Sequence, residues 1–158
     1  MSTPSPIVEV SAEALKPAGD GSKFENRSAR LAQKIGLKKL GCSIYVVPPG
    51  KRAFPYHAHS LIEEMFFVLE GSGTLRHDGQ EYPVKAGDLI AAPCGTAHQL
   101  VNTSDSDLKY LGISANEIAD VVLYPDSQKV GAYSGAFGNN LRHLTRLESA
   151  TDYYDREQ

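Results

Sequence analysis

Apolar and polar positions alternate in short runs from residue 40 to residue 124, and each run ends at a turn signal. Residues 42–47 read CSIYVV, a β-branched strand stopped by Pro48-Pro49-Gly50, where two ladder donors are missing. Residues 64–70, EMFFVLE, form the strongest predicted strand. Side chains alternate faces along it, so Glu64 shares a face with Phe66 and Val68, while Met65, Phe67 and Leu69 take the other. A strand apolar on both faces is expected between two layers. Gly71-Ser72-Gly73 leads into a strand over 74–77, and 80–84 returns through Asp78-Gly79, a hairpin signal because both central positions of that turn take positive φ. Further strands are predicted over 89–92, 97–102, 108–114 and 120–124, divided by Ala86-Gly87-Asp88, Pro93-Cys94-Gly95 and Thr103-Ser104-Asp105-Ser106. Many short strands with regular turn signals predict an all-β sandwich or barrel.

The ends read differently. Residues 1–26 are rich in Pro, Ser, Gly and Lys with one β-like piece at 7–10, and form an N-terminal arm expected to cover a neighbouring sheet. Residues 27–39 fit a short helix or a loop-and-strand passage equally. Residues 140–147, NLRHLTRL, place Leu141, Leu144 and Leu147 three apart and predict a short amphipathic C-terminal helix, followed by a charged surface tail. The predicted organisation is an arm at 1–26, a barrel domain at 27–125 and a C-terminal extension at 126–158.

Composition narrows the function classes. The 158 residues suit one domain, and a net charge of −3 gives no field for nucleic acid or an anionic membrane. The longest strongly apolar run, residues 65–69, is far short of the roughly 20 residues a spanning helix needs. No basic segment precedes an apolar core at the N-terminus, and the two cysteines, Cys42 and Cys94, form no CxxC pair. A cytoplasmic setting is the expectation.

The candidate chemistry lies between residues 50 and 102. His57 and His59 point the same way if their segment is extended, and Glu64 faces an apolar interior where an ionised carboxylate needs a cation. Imidazole and carboxylate together are a ligand set for borderline divalent metals. Alone, His-x-His is an ordinary strand pattern; the second segment, with His98, changes that reading.

Both segments resemble the two signatures of the cupin superfamily. The first has Gly, a gap, His-x-His, three or four residues, Glu, six residues and Gly, matched by Gly50, His57, His59, Glu64 and Gly71. The gap after Gly50 is six residues where the family has five. The second is matched by Gly87, Pro93, Gly95, His98 and Asn102. The resemblance covers roughly residues 40–115. It implies a double-stranded β-helix (jelly-roll) barrel with His57, His59, Glu64 and His98 as ligands to one divalent metal ion, Mn, Fe, Ni, Co or Zn. The six residues to Gly71 favour Glu64 over Glu63, which is expected on the outer face. His77 and His143 are expected at the surface, and Cys94 as a turn residue.

Four protein ligands on an octahedral ion leave two positions for water or substrate. Similar small single-domain cupins are assigned to sugar-phosphate isomerisation, so an isomerase or epimerase of a sugar or sugar phosphate is the first expectation. Lys51, Arg52 or Arg76 would then supply charge at the mouth, and Tyr45, Tyr56 or Tyr110 would move a proton. The alternatives are an iron-dependent dioxygenase and a non-catalytic metal or small-ligand binding module. The expected partners are a small molecule and a second copy of the chain, as a homodimer whose arms cover barrel edges.

Overall fold

The computed structural model describes residues 4–135 and 141–157. Its strands are β1 (Lys16–Gly19), β2 (Glu25–Arg30), β3 (Leu40–Val47), β4 (Ala58–His59), β5 (Glu64–Glu70), β6 (Ser72–His77), β7 (Gln80–Lys85), β8 (Leu89–Ala92), β9 (His98–Val101), β10 (Leu108–Ala115), β11 (Ala119–Tyr124), β12 (Lys129–Ser134) and β13 (Leu141–Arg146). Every ladder between them is antiparallel. One sheet runs β1-β2-β3-β10-β5-β8; a second runs β13-β12-β11-β4 and a third β7-β6-β9. This is an all-β jelly-roll barrel, as the turn spacing predicts.

The core lies between the sheets. Phe66 and Val68 from β5 pack with Leu75, Val84, Ile90, Leu100, Leu108 and Tyr110, side chains drawn from five further strands. Tyr110 stands opposite Tyr45 in the β3–β10 ladder and Leu108 opposite Val47, so the alternation of β10 fixes which residues face inward. The Asp78-Gly79 hairpin has positive φ at both positions, 48° and 79°, as its sequence requires. At Gly71, φ is 80° and a Cβ would stand 2.3 Å from the Asp107 carbonyl oxygen, so no other residue fits where β5 hands over to β6.

Three expectations are corrected, and the open reading of 27–39 is resolved. The predicted helix over 140–147 is strand β13 followed by a single 3-10 turn at Leu147–Ser149, and residue 140 lies outside the described residues. Leu141, Leu144 and Leu147 are exposed in this arrangement, so their spacing does not mark a buried helical stripe. The open edge of β12 instead offers six paired positions to the backbone. The passage at 27–39 is β2 and a 3-10 turn, Ala32–Ile35. Its Leu31 and Ala32 are buried, like Ile44 and Val46 of β3.

The outer face of β5 is not covered by a second layer: Met65 and Phe67 are exposed, and Leu89 stands opposite Phe67 on β8. The arm, in turn, adds β1 beside β2 of its own chain, so the described arm residues cover an edge of their own sheet. Among the described residues no helix is long and apolar enough to cross a membrane.

Candidate metal centre

His57 and His98, forty-one residues apart in sequence, form an isolated antiparallel bridge. His98 N–H donates to His57 O at 2.8 Å and His57 N–H donates to His98 O at 3.2 Å. Gly95 N–H donates to His59 O at 2.7 Å, which ties the Pro93-Cys94-Gly95 turn to the same segment. The turn thus delivers His98 to the His-x-His strand through backbone bonds alone.

All three rings are oriented from behind. His57 Nδ1 lies 2.8 Å from Pro55 O, and His98 Nδ1 lies 2.9 Å from Thr96 O, each the carbonyl two residues earlier. His59 Nδ1 lies 2.5 Å from Asp120 Oδ2. Carbonyl and carboxylate oxygens only accept, so each Nδ1 carries a hydrogen, and in a neutral ring Nε2 then turns a lone pair inward.

The inward atoms converge. His57, Glu64 and His98 each offer one ligand atom, all within 4.8 Å of one another. His98 Nε2 is 3.0 Å from Glu64 Oε2, and His57 Nε2 is 3.8 Å from the same oxygen. His59 Nε2 is 3.1 Å from His57 Nε2 and 3.5 Å from Glu64 Oε2. Ligands about 2.1 Å from one ion stand about 3.0 Å apart at right angles and about 3.4 Å apart in a tetrahedron. The His98–Glu64 and His57–His59 separations fit that span, and the 3.5 and 3.8 Å separations of His59 and His57 from Glu64 are longer. Lone pairs facing lone pairs at these distances repel unless a cation lies between them, so the donor set suits a divalent ion.

Where a ring carries a second proton, its Nε2 donates to Glu64 instead of offering a lone pair. Burial and the neighbouring His98 depress the His57 imidazole to about 4, so it is neutral near pH 7. Burial opposes ionisation of Glu64, but hydrogen bonds with His59 and His98 outweigh it and hold the carboxyl down at about 2. Burial also opposes the charged form of His59, while its bonds to Glu64 and Asp120 carry its pKa upward.

Asp120 is the residue that motif reasoning missed. It is 5% exposed; besides holding His59, it accepts N–H bonds from Ser60 at 3.2 Å and Leu61 at 2.9 Å. Strand parity carried the signal: in ADVVLY an acidic residue shares the inner face with Val122 and Tyr124.

The centre opens into a cavity of about 470 Å³ walled by Tyr45, Phe54, Ile62, Phe66, Val122 and Tyr124. Tyr133 also lines it, with its hydroxyl 2.7 Å from that of Tyr124. Burial, then the bond to Tyr133, push the Tyr124 hydroxyl well above its ordinary value, so it stays protonated. Of the three tyrosines expected to move protons, only Tyr45 lines this cavity. Tyr110 is sealed in the core, and the Tyr56 hydroxyl accepts from Gly79 N–H at 2.9 Å. Lys51, Arg52 and Arg76 are also absent from its walls. Glu63 is exposed as expected, as are His143 and Cys94, whereas His77 is half-buried with its ring edge-on to Tyr82.

Comparison with known proteins agrees with this architecture. The family description of the cupin domain matches residues 43–114. An oxalate-binding protein of Thermotoga maritima is 33% identical over 95 residues, covering 59% of this chain and 78% of that protein. Auxin-binding protein 1 of Arabidopsis thaliana is 35% identical over 100 residues, 58% of this chain; the chain spans only 50% of that relative's length. Among solved structures, a protein of Acidithiobacillus ferrooxidans provisionally assigned as a sugar phosphate isomerase superimposes with a TM-score of 0.84 at 25% identity, covering 94% of this chain and 96% of that one. Matched by its domain description, by most of the length of a relative and by a fold carrying both signature turns, the chain belongs to the cupin family.

Proposed function

We propose that His57, His59, Glu64 and His98 hold one divalent metal ion, and that the protein is a metal-dependent enzyme of a small hydroxy-carbonyl metabolite with isomerase- or epimerase-type chemistry. The observation that carries this reading is the set of three Nδ1 acceptors, Pro55 O, Thr96 O and Asp120, which turn three Nε2 lone pairs toward Glu64. A divalent ion held there supplies a Lewis acid for a substrate carbonyl. The chain itself supplies the surroundings of the reacting atoms. Tyr45, Phe54 and Phe66 exclude water and give a flat carbon skeleton something to lie against, while the protonated Tyr124–Tyr133 pair offers an O–H to a developing oxyanion.

The walls also bear on the substrate. Among the described lining residues there is no Lys or Arg. An unphosphorylated sugar or sugar-like compound therefore suits this cavity better than its phosphate ester. The name of the oxalate-binding relative supports a second reading, a binding module for a small chelating carboxylate, and the absence of a free carboxylate base among the described lining residues favours it too.

Metal analysis after anaerobic purification, combined with turnover and oxygen uptake on a panel of sugars, hydroxy-ketones and small dicarboxylates, separates the readings. Oxygen-independent interconversion of a hydroxy-carbonyl compound is expected. Iron with substrate-dependent oxygen uptake would replace isomerisation by dioxygenation, and tight metal and oxalate binding without turnover would leave the binding module.

A further inference from the structure

The cations that the metal cavity lacks are gathered elsewhere. Behind the segment 53–56 lies a second cavity of about 300 Å³, lined by Lys23, Arg52, Arg76, Gln99, Asp126 and Lys129. Four cationic residues and one acidic residue line it, in a chain whose net charge is −3. Such a local excess of positive charge repels itself unless an anion enters.

Two of the cations are held in place. The Arg52 backbone is fixed on both sides, its N–H donating to Lys23 O at 3.2 Å and its carbonyl accepting Glu25 N–H at 3.1 Å. Its Nε is buried with no hydrogen-bond partner among the described residues. The Arg76 guanidinium lies 4.2 Å from the centre of the Tyr56 ring and donates to Gln99 Oε1 at 2.8 Å. Its other contacts are the two oxygens of Asp126, at 2.7 and 3.0 Å.

Asp126 shows what the site accepts. It sits on the exposed 3-10 turn Pro125–Ser127 and engages Arg76 through both oxygens, the fork geometry in which guanidinium groups bind carboxylate or phosphate. Its own charge cannot satisfy Arg52, Lys23 and Lys129 as well. A phosphate group, with more charge and more acceptor oxygens, can. The volume suits a small molecule, at the lower end of ligand clefts.

We propose that this second cavity binds a small phosphorylated molecule, with Arg52, Arg76 and Lys129 as its phosphate-holding residues. The site is separate from the metal centre: Pro55 is the residue both cavities share. The proposal therefore stands or falls independently of the proposed metal.

Calorimetric titration of the full chain at low salt, with inorganic phosphate and with glycerol 2-phosphate as probes, tests it. One saturable site is expected for the ester, weakening as salt rises. Arg52→Gln and Lys129→Gln should each weaken it about tenfold, as loss of one charged contact does. Lys129→Gln, on a half-buried side chain, serves if Arg52→Gln fails to fold. Asp126→Asn should tighten binding several-fold by releasing Arg76. His98→Ala should leave it unchanged. No saturation by about 10 mM ester would overturn the proposal. So would binding lost in His98→Ala but kept in Lys129→Gln, which would place phosphate on the metal, and so would inorganic phosphate binding without the ester.

Discussion

His57 and His98 face each other as a backbone-bonded pair, with N–H···O distances of 2.8 and 3.2 Å, and each ring is anchored to the carbonyl two residues before it. The same local device is thus used twice, once in each signature segment. A ring held by its own chain loses little further freedom when Nε2 meets a ligand, and the bridge fixes the spacing between the two rings. Preorganisation of this kind lowers the cost of binding.

His98→Ala should release the metal. The side chain is 2% exposed and touches Glu64, so its removal deletes one ligand and leaves a carboxylate short of a partner. Metal content after desalting should fall from one per chain to well below it. The parent's gain in thermal stability on adding metal should vanish in the variant, since that gain follows from binding to the folded state alone. Stoichiometric metal in purified His98→Ala would refute the centre.

Asp120→Asn should weaken metal binding about 10–100-fold, the usual effect of losing a carboxylate that orients a ligand histidine. The amide can still accept one N–H from Ser60 or Leu61, so the fold should survive. Asp120→Ala should be worse: both N–H groups lose their acceptor, at about 1–3 kcal/mol for each group left unsatisfied. A chelator competition assay reads the affinity and a melting curve reads the stability. Equal metal affinity in Asp120→Asn and the parent would remove Asp120 from the site.

Much of this was legible because strand period and turn chemistry are local. β5 and β8 have the bounds their apolar runs predict, and Asp78-Gly79 turns as its residues demand. Strand parity puts His57 and His59 together, and the resemblance of both segments to the family's signatures is what pointed to Glu64 and His98 beside them. β13 was missed because a leucine every third residue outweighed the pairing offered by β12, which no local pattern reveals. Asp120 was missed because its contact with His59 spans 61 residues, and Arg52 and Arg76 were misplaced because nothing local tells which side of the 53–56 segment a cation will occupy.

The Arg76–Asp126 pair gives a pH signature. The Arg76 hydrogen bond lowers the Asp126 carboxyl pKa below 3.8 in the folded protein, so its stabilisation is present above that value and is lost as pH falls through the folded pKa. The Arg76 side chain is 31% exposed and that of Asp126 54%, and solvent screening limits the contribution to under about 1 kcal/mol. Asp126→Asn should therefore melt slightly below the parent at pH 7, and the difference should disappear once acidification protonates the Asp126 carboxyl in the folded parent. A difference that persists in acid would assign it to packing.

Asn102 separates structure from chemistry within the second signature. It is fully buried, and its Nδ2 donates to Val47 O at 2.8 Å and Ser106 O at 2.7 Å. Its Oδ1 accepts from Ser104 N–H at 3.0 Å and the Ser104 hydroxyl at 2.9 Å. The side chain thus pins the end of β9 to the end of β3 and closes the turn that starts β10. It offers no atom to the metal cavity. Asn102→Ala leaves buried carbonyls without donors and should cost about 2–4 kcal/mol, larger than a typical surface change. The folded fraction should still bind metal with the parent's stoichiometry. Urea unfolding and metal analysis of the same sample check both halves: a small stability change would mean the network is solvated, and loss of metal from folded protein would mean that Asn102 acts on the centre.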